Sequence, residues 1–362
     1  MGKHVTAVDE LGHGTREKRI GTMGKPKSAI RTIFLMLAAL IILFVAIIFG
    51  LRWHNGETYT IVHRASLTDS ATRYETNDQI RAIETPSLKG FHFIPEERLH
   101  PGVVVVYGGS EGSPGYERAR AVFEQGYETL ALYFWGQEGQ TPTLANVPLE
   151  QFDEVETYIE EHVERPFPLT VIGTSKGAEF SAELAAHGFA IDNLVNFAPA
   201  DHTYSGLDYT TQDDLPSFTY RGEPVPFASF RSADFDVAAK LIWDMVTNAP
   251  PSYRASYESA AAHSDDGTRI DLSSFEGNAL FFAGEKDAMW QSDVAAKNLA
   301  AQSDAFEAHV YPGAGHVFSD RLDEFGTGWE IMLGGTVEGG AEAYEDSNRI
   351  LFDRLARWHG RL

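Results

Sequence analysis

The chain has 362 residues, a formal charge of −23 at neutral pH and no cysteine. Its hydrophobic share of 43% and aromatic share of 12% suit a globular core, which excludes a disordered or low-complexity chain. The acidic balance argues against nucleic-acid binding, and the absent cysteines exclude a disulfide-stapled scaffold.

The first 31 residues form a basic tail holding Lys3, Arg16, Lys18, Arg19, Lys25, Lys27 and Arg31. Residues 32–52 follow as an expected transmembrane helix. The run from Thr32 to Leu51 is 20 residues without a charge, rich in Leu, Ile, Phe and Ala, long enough to span a bilayer. No small-x-small cleavage site follows it. Phe49-Gly-Leu-Arg-Trp53 comes instead, so an uncleaved anchor is expected, with Trp53 at the interface and the lipid bilayer as a partner. Within about 20 residues after the span only Arg52 and Arg64 are basic. This asymmetry predicts a cytoplasmic N-terminus and an extracytoplasmic body. Met1-Gly2 with Thr6 formally matches a myristoylation signal, a pattern short enough to arise by chance.

Residues 53–100 read as a linker and the first strands of a catalytic domain that occupies 101–362. Pro101-Gly-Val-Val-Val-Val-Tyr107 is a β-branched run expected of a central parallel strand buried on both faces. It ends in Gly108-Gly-Ser-Glu-Gly112, where bare backbone can approach a substrate oxygen. Glu117 to Gln125 has a helical pattern stopped by Gly126, and Thr129 to Phe134 reads as a strand. Pro148 suits the first turn of a helix whose inward positions are Leu149, Phe152, Val155 and Ile159.

Leu169-Thr-Val-Ile-Gly-Thr-Ser-Lys-Gly-Ala-Glu-Phe180 then places a G-x-S-x-G pentapeptide between an apolar strand and a helix. That context makes Ser175 a candidate nucleophile on a strained strand-to-helix turn. Gly173 and Gly177 meet the close crossing of strand and helix. Ile191 to Phe197 is the next strand. Residues 201–276 break the rhythm with Asp213-Asp-Leu-Pro, Gly222-Glu-Pro-Val-Pro226 and an amphipathic piece from Phe235 to Val246. Lying between two core strands, they suit a cap-like insertion. Tyr204, Phe218, Tyr220, Phe230 and Trp243 could line an acyl pocket there, although core packing is the commoner role of such residues.

Asn278-Ala-Leu-Phe-Phe-Ala-Gly284 is a buried strand that delivers Asp287 just past its carboxyl end, where open α/β sheets bind ligands. Phe306 to Tyr311 is a further strand, and Pro312-Gly-Ala-Gly-His316 brings His316 to the same edge. Ser175, Asp287 and His316 thus follow the chain order of nucleophile, acid and base in α/β-hydrolase folds. Asp287 also has a plainer reading as a turn aspartate. Glu285 and Asp293 are rival acids; His187, His202, His263 and His309 are rival bases, each better read as a solvated or packing residue. The oxyanion hole would take the backbone N–H groups of Ser110 and Lys176, with Gly109 as an alternative to Ser110. Tyr344, Leu351, Leu355 and Trp358 form the inward stripe of a closing helix. Alternating strands and helices define an α/β class: an α/β-hydrolase fold with a mostly parallel central sheet.

Several of these stretches resemble the catalytic domain shared by acyl-CoA thioester hydrolases and bile acid-CoA:amino acid N-acyltransferases. They are Gly108-Gly-Ser-Glu-Gly112, Gly173-Thr-Ser-Lys-Gly-Ala-Glu179, Gly284-Glu-Lys-Asp-Ala-Met-Trp290, Tyr311-Pro-Gly-Ala-Gly-His316 and Gly334-Gly-Thr336. The similarity covers roughly residues 100–360. It implies a catalytic triad of Ser175, Asp287 and His316. Members that transfer acyl groups to amino acids carry a cysteine at the elbow, so Ser175 resembles the hydrolytic branch. Family members also carry a β-sandwich ahead of this domain, for which the 48 residues from 53 to 100, between the span and Pro101, leave no room. The function so implied is a membrane-anchored serine hydrolase cleaving small-molecule acyl thioesters or esters, with no metal and no cofactor. Two alternatives stand beside it: an extracytoplasmic carboxylesterase with no CoA substrate, and a catalytically inactive membrane-tethered binding protein.

Overall fold

The computed structural model describes residues 26–63 and 74–362. Most of the basic tail, the myristoylation pattern and Arg64 lie outside them. The chain divides into two compact bodies at Gly50 and Leu51. The first body contains the start of helix α1 (Pro26–Thr58). Its Ile33, Phe34, Leu37, Leu40, Ile41 and Phe44 are all more than half exposed. Helix α1 passes the expected end of the span at residue 52, because Trp53-His-Asn-Gly-Glu-Thr58 continues the same backbone geometry.

The second body is built on one twisted sheet. Its strands are β1 (Ile80–Glu84), β2 (Lys89–Phe93), β3 (Val103–Tyr107), β4 (Glu128–Leu132), β5 (Leu169–Thr174), β6 (Asn193–Phe197), β7 (Asn278–Gly284) and β8 (Phe306–Tyr311), lying in the order β1-β2-β4-β3-β5-β6-β7-β8. β1 and β2 pair antiparallel, as do β2 and β4, while every other pairing is parallel. Successive side chains leave a strand on opposite faces, so β3 feeds two cores at once. Val103, Val105 and Tyr107 join Leu130, Val171 and Phe281 on one face. Val104 and Val106 join Ala131, Ile172 and Leu280 on the other.

Helices cover both faces. On the first lie α3 (Gln151–His162), which buries Phe152, Val155 and Ile159, and α4 (Lys176–Ala186), which buries Phe180 and Leu184. On the second lie α2 (Tyr116–Phe123), through Ala119 and Val122, and the closing helix α9 (Val337–His359), through Ile350, Leu351 and Leu355. Two expectations change. Pro148 does not open a helix: Val147–Pro148 pairs in parallel with Phe218–Thr219, and α3 starts at Gln151. Tyr344 is 37% exposed, because the close approach of α9 is made by the smaller Gly339, Gly340, Ala343 and Ser347.

Residues 201–276 lie between β6 and β7. They contain the two short strands Phe218–Tyr220 and Glu223–Pro224, helix α5 (Phe235–Thr247) and helix α6 (Arg254–Ala262). Helix α7 (Ser292–Ala300) then leads to β8, and the single turn α8 (Trp329–Met332) precedes α9.

Candidate active site

Ser175 stands between β5 and α4 with φ 56° and ψ −122°, a conformation that costs a non-glycine residue of order 1–3 kcal/mol. The surrounding backbone compels it. The Ser175 N–H donates to the Phe197 carbonyl on neighbouring β6, while its own carbonyl accepts from the Ala178 N–H in the first turn of α4. Strand and helix therefore cross tightly. A Cβ on Gly177 would lie 1.9 Å from the Gly108 carbonyl oxygen, and one on Gly173 would lie 2.2 Å from that of Gly177. Both glycines are needed for close approach, as the pentapeptide implies.

The serine hydroxyl is 2.9 Å from His316 Nε2, and His316 Nδ1 is 2.9 Å from Asp287 Oδ2. His316 follows β8 on a loop pinned where its N–H donates to the Leu333 carbonyl. Asp287 is 1% exposed and accepts from four donors. The Met289 and Trp290 N–H groups reach Oδ1, and the Ser292 hydroxyl and His316 reach Oδ2. Ser292 thus serves Asp287, and α7 carries no side-chain cap. Trp290 walls the imidazole edge-on, with ring centroids 5.7 Å apart at 75°, while its indole N–H donates to the Ala198 carbonyl.

The rival residues have other partners. Glu285 is exposed, and Asp293 pairs with Arg254 at 2.9 Å. His187 bonds Glu183 within its own helix, and His202 is buried against Asp201. His263 faces Asp234 at 3.6 Å, and His309 faces Glu307 at 3.5 Å.

The glycine-rich loop after β3 lies against the elbow: a Cβ on Gly109 would come 3.1 Å from the Ser175 Cβ. Among the described residues, the Ser110 and Lys176 N–H groups meet no acceptor in the protein. The Gly109 N–H, the alternative donor, is taken by the Glu111 carboxylate at 3.0 Å.

Sequence reasoning assigned Lys176 only its main chain. Its side chain is 1% exposed and runs into the insertion, where Nζ donates to the Ser217 hydroxyl at 2.8 Å and pairs with Glu179 Oε2 at 2.8 Å. Glu179 in turn accepts the Tyr204 N–H at 3.0 Å. Burial pushes the Lys176 ammonium down from its usual pKa and the Glu179 carboxyl up, and mutual attraction opposes both. The i, i+3 spacing of Lys and Glu after the serine was the available signal; nothing local revealed that both are buried. Arg254 was also missed. Its guanidinium reaches the Asp287 carbonyl at 3.1 Å, tying α6 to the aspartate turn.

The aromatic residues of the insertion divide. Tyr204 and Phe230 cluster with Tyr257 and Trp290, next to His316. Phe218 packs on Phe180 in the sheet core, and Tyr220 lies against His187. A cavity of about 640 Å³ lined by Pro168, Asp192, Phe275, Gly277 and Trp358 opens at the amino ends of β5, β6 and β7, away from this cluster.

A sheet in this strand order, with a serine elbow after β5 and its partners after β7 and β8, defines an α/β hydrolase. Residues 147–320 match the family model described as BAAT / acyl-CoA thioester hydrolase C terminal. The chain is 27% identical over 251 residues to the mouse bile acid-CoA:amino acid N-acyltransferase, covering 65% of this chain and 53% of that protein. It is 25% identical over 231 residues to the mouse peroxisomal succinyl-coenzyme A thioesterase, covering 61% and 50%. The chain therefore spans about half the length of these curated relatives. An esterase of Pyrococcus furiosus aligns in structure with a TM-score of 0.49 and 14% identity, over 80% of this chain and 97% of that one.

Proposed function

We propose that this chain is a membrane-anchored serine hydrolase that cleaves acyl thioesters or esters through a covalent acyl-enzyme. The observation that carries the reading is the unbroken series of 2.9 Å contacts from Ser175 through His316 to Asp287 at a strained elbow. His316 Nε2 takes the hydroxyl proton as Ser175 Oγ attacks the acyl carbonyl, and Asp287 holds the imidazole with Nδ1–H donating to Oδ2. The carbonyl oxygen gains negative charge and is received by the Ser110 and Lys176 N–H groups. His316 then protonates the departing thiol or alcohol. In the second half it activates water, which releases the acid and restores Ser175.

The substrate class rests on the relatives, whose names specify CoA thioesters. The anchor rests on Ile30–Thr58, a helix long and apolar enough to cross a membrane, whose apolar side chains are exposed. Its flanking charges orient the body away from the cytoplasm, where an ester without CoA is the fitting substrate. Residues 201–276, tied to α4 and to the Asp287 turn, act as the cap over the site. Ser175→Ala should fold normally and lose labelling by a fluorophosphonate probe; a variant labelled as well as the native chain would place the nucleophile elsewhere. Comparing kcat/KM for an acyl-CoA and its matched oxygen ester assigns the leaving group. A reporter at Leu362 active only in the cytoplasm would reverse the orientation.

A further inference from the structure

Helix α5 is turned inside out. Phe235 is 87% exposed, Ile242 61%, Met245 55% and Val246 41%, whereas the residues it buries are Asp244 and Thr247. At 100° per residue, positions 235, 242, 245 and 246 fall on one side of the helix and 244 and 247 on the other. An aqueous surface does not favour such a face, and a helix of this kind marks an interaction surface.

The carboxyl end of α5 lies against the end of α1. The last carbonyls of α5 have no partners within the helix and are met by the end of α1. The Arg52 guanidinium donates to the Val246 carbonyl at 3.3 Å, and the Asn55 amide donates to the Thr247 carbonyl at 2.9 Å. The following residues are held to the body as well, with the Thr60 N–H donating to Thr327 Oγ1 and the Ile61 N–H to the Thr327 carbonyl. Chain connectivity puts Asn55 five residues beyond Gly50, about 8 Å along a helix at 1.5 Å per residue. The apolar span therefore ends within two helical turns of the residues that grip α5.

We propose that the exposed face of α5 lies in the lipid interface of the membrane that α1 enters. This rests on the anchor reading above. Phe235, Ile242, Met245 and Val246 enter the boundary between headgroups and acyl chains, and the Lys240–Asp244 pair lies on the other side, toward the body. The contact is apolar, not electrostatic: the chain is strongly acidic, and α5 carries a single cation, Lys240. A zwitterionic bilayer suffices, and the contact survives high salt.

Because the chain has no cysteine, one introduced thiol labels one site. Leu40→Cys, Ile242→Cys and Glu161→Cys are prepared separately in the full chain, labelled with an environment-sensitive fluorophore and reconstituted in phosphatidylcholine vesicles with and without brominated acyl chains. Glu161 is exposed near the end of α3, at the amino ends of the strands. The expected result is loss of most emission at 40 and 242 with brominated lipid, and none at 161. Loss at 40 with full emission at 242 overturns the proposal and leaves the anchor standing. Full emission at both removes the anchor, and the proposal with it. Shielding of 242 from aqueous iodide without lipid quenching assigns the face to a protein, such as a second copy, and also overturns the proposal. Phe235→Cys repeats the test should Ile242→Cys fail to label with fluorophosphonate.

Discussion

Lys176 Nζ donates to Ser217 Oγ at 2.8 Å, joining the residue after the elbow serine to the residue just before the short strand Phe218–Tyr220 of the insertion. The same ammonium is paired with Glu179, and both side chains are essentially unexposed. Lys176→Met leaves the Glu179 carboxylate buried without its cation and should cost about 3–5 kcal/mol in denaturant unfolding. Lys176→Met combined with Glu179→Leu should recover most of that loss. A double variant no more stable than the single would show that the pair does not act as a unit.

Asp287→Asn preserves shape but changes what faces His316 Nδ1. An amide presenting N–H there stabilises the wrong imidazole tautomer, and related triads lose on the order of 10⁴-fold in kcat. KM and the melting temperature should change little, since Met289 and Trp290 can still donate to the remaining oxygen. Ester turnover in stopped assays measures it. A loss below about tenfold would remove Asp287 from the proposed chemistry.

Ser110 enters the proposal only through its main chain. Ser110→Ala should therefore retain near-native turnover, whereas Ser110→Pro deletes the N–H and should lower kcat about 10²–10³-fold. Equal activity of the two variants would reassign the donor.

Gly177→Ala sets a methyl group against the Gly108 carbonyl, which no side-chain rotation relieves. The expected cost is at least about 2 kcal/mol, or a displaced loop after β3 with reduced fluorophosphonate labelling. Native stability and native labelling together would show that the crossing has slack.

His92 on β2 is buried 2.8 Å from Glu128 and 3.1 Å from the Tyr158 hydroxyl. Burial, reinforced by the charges of His162, Arg81 and Arg98, holds its pKa down to about 4 against an ordinary 6.5. The folded state therefore binds the proton later than the unfolded one. The stabilisation is complete above about pH 6.5 and is lost as pH falls toward 4, amounting to about 3 kcal/mol. Urea unfolding of His92→Gln across that window should show a correspondingly shallower slope; parallel curves would place the acid sensitivity in other groups.

The sheet was largely legible because its signals are local. Four valines in a row specify a doubly buried strand wherever the chain puts it, and glycines at 173 and 177 announce a tight crossing. The positions of Ser175, Asp287 and His316 were readable for the same reason, each following a strand. What escaped depends on partners distant in sequence. Pro148 satisfies a helix-start rule, yet pairing with Phe218 decides its conformation. The Lys176 side chain looks like a solvated helix residue until the insertion closes over it. The outward face of α5 is periodic in either orientation, so its amphipathic pattern was visible and its direction was not.

Asp287 takes three of its four donors from the next five residues, and His316 is held by a loop later in the chain than the insertion. The stretch from 201 to 276 meets this frame through Ser217, Tyr204 and Arg254, and it also sends Phe218, Val225, Ile270, Leu272 and Phe275 into the core that β3 and β7 share. Most of what fixes the spacing of Ser175, Asp287 and His316 thus lies outside that stretch, so its exposed positions are freer to vary than the five it buries in the core.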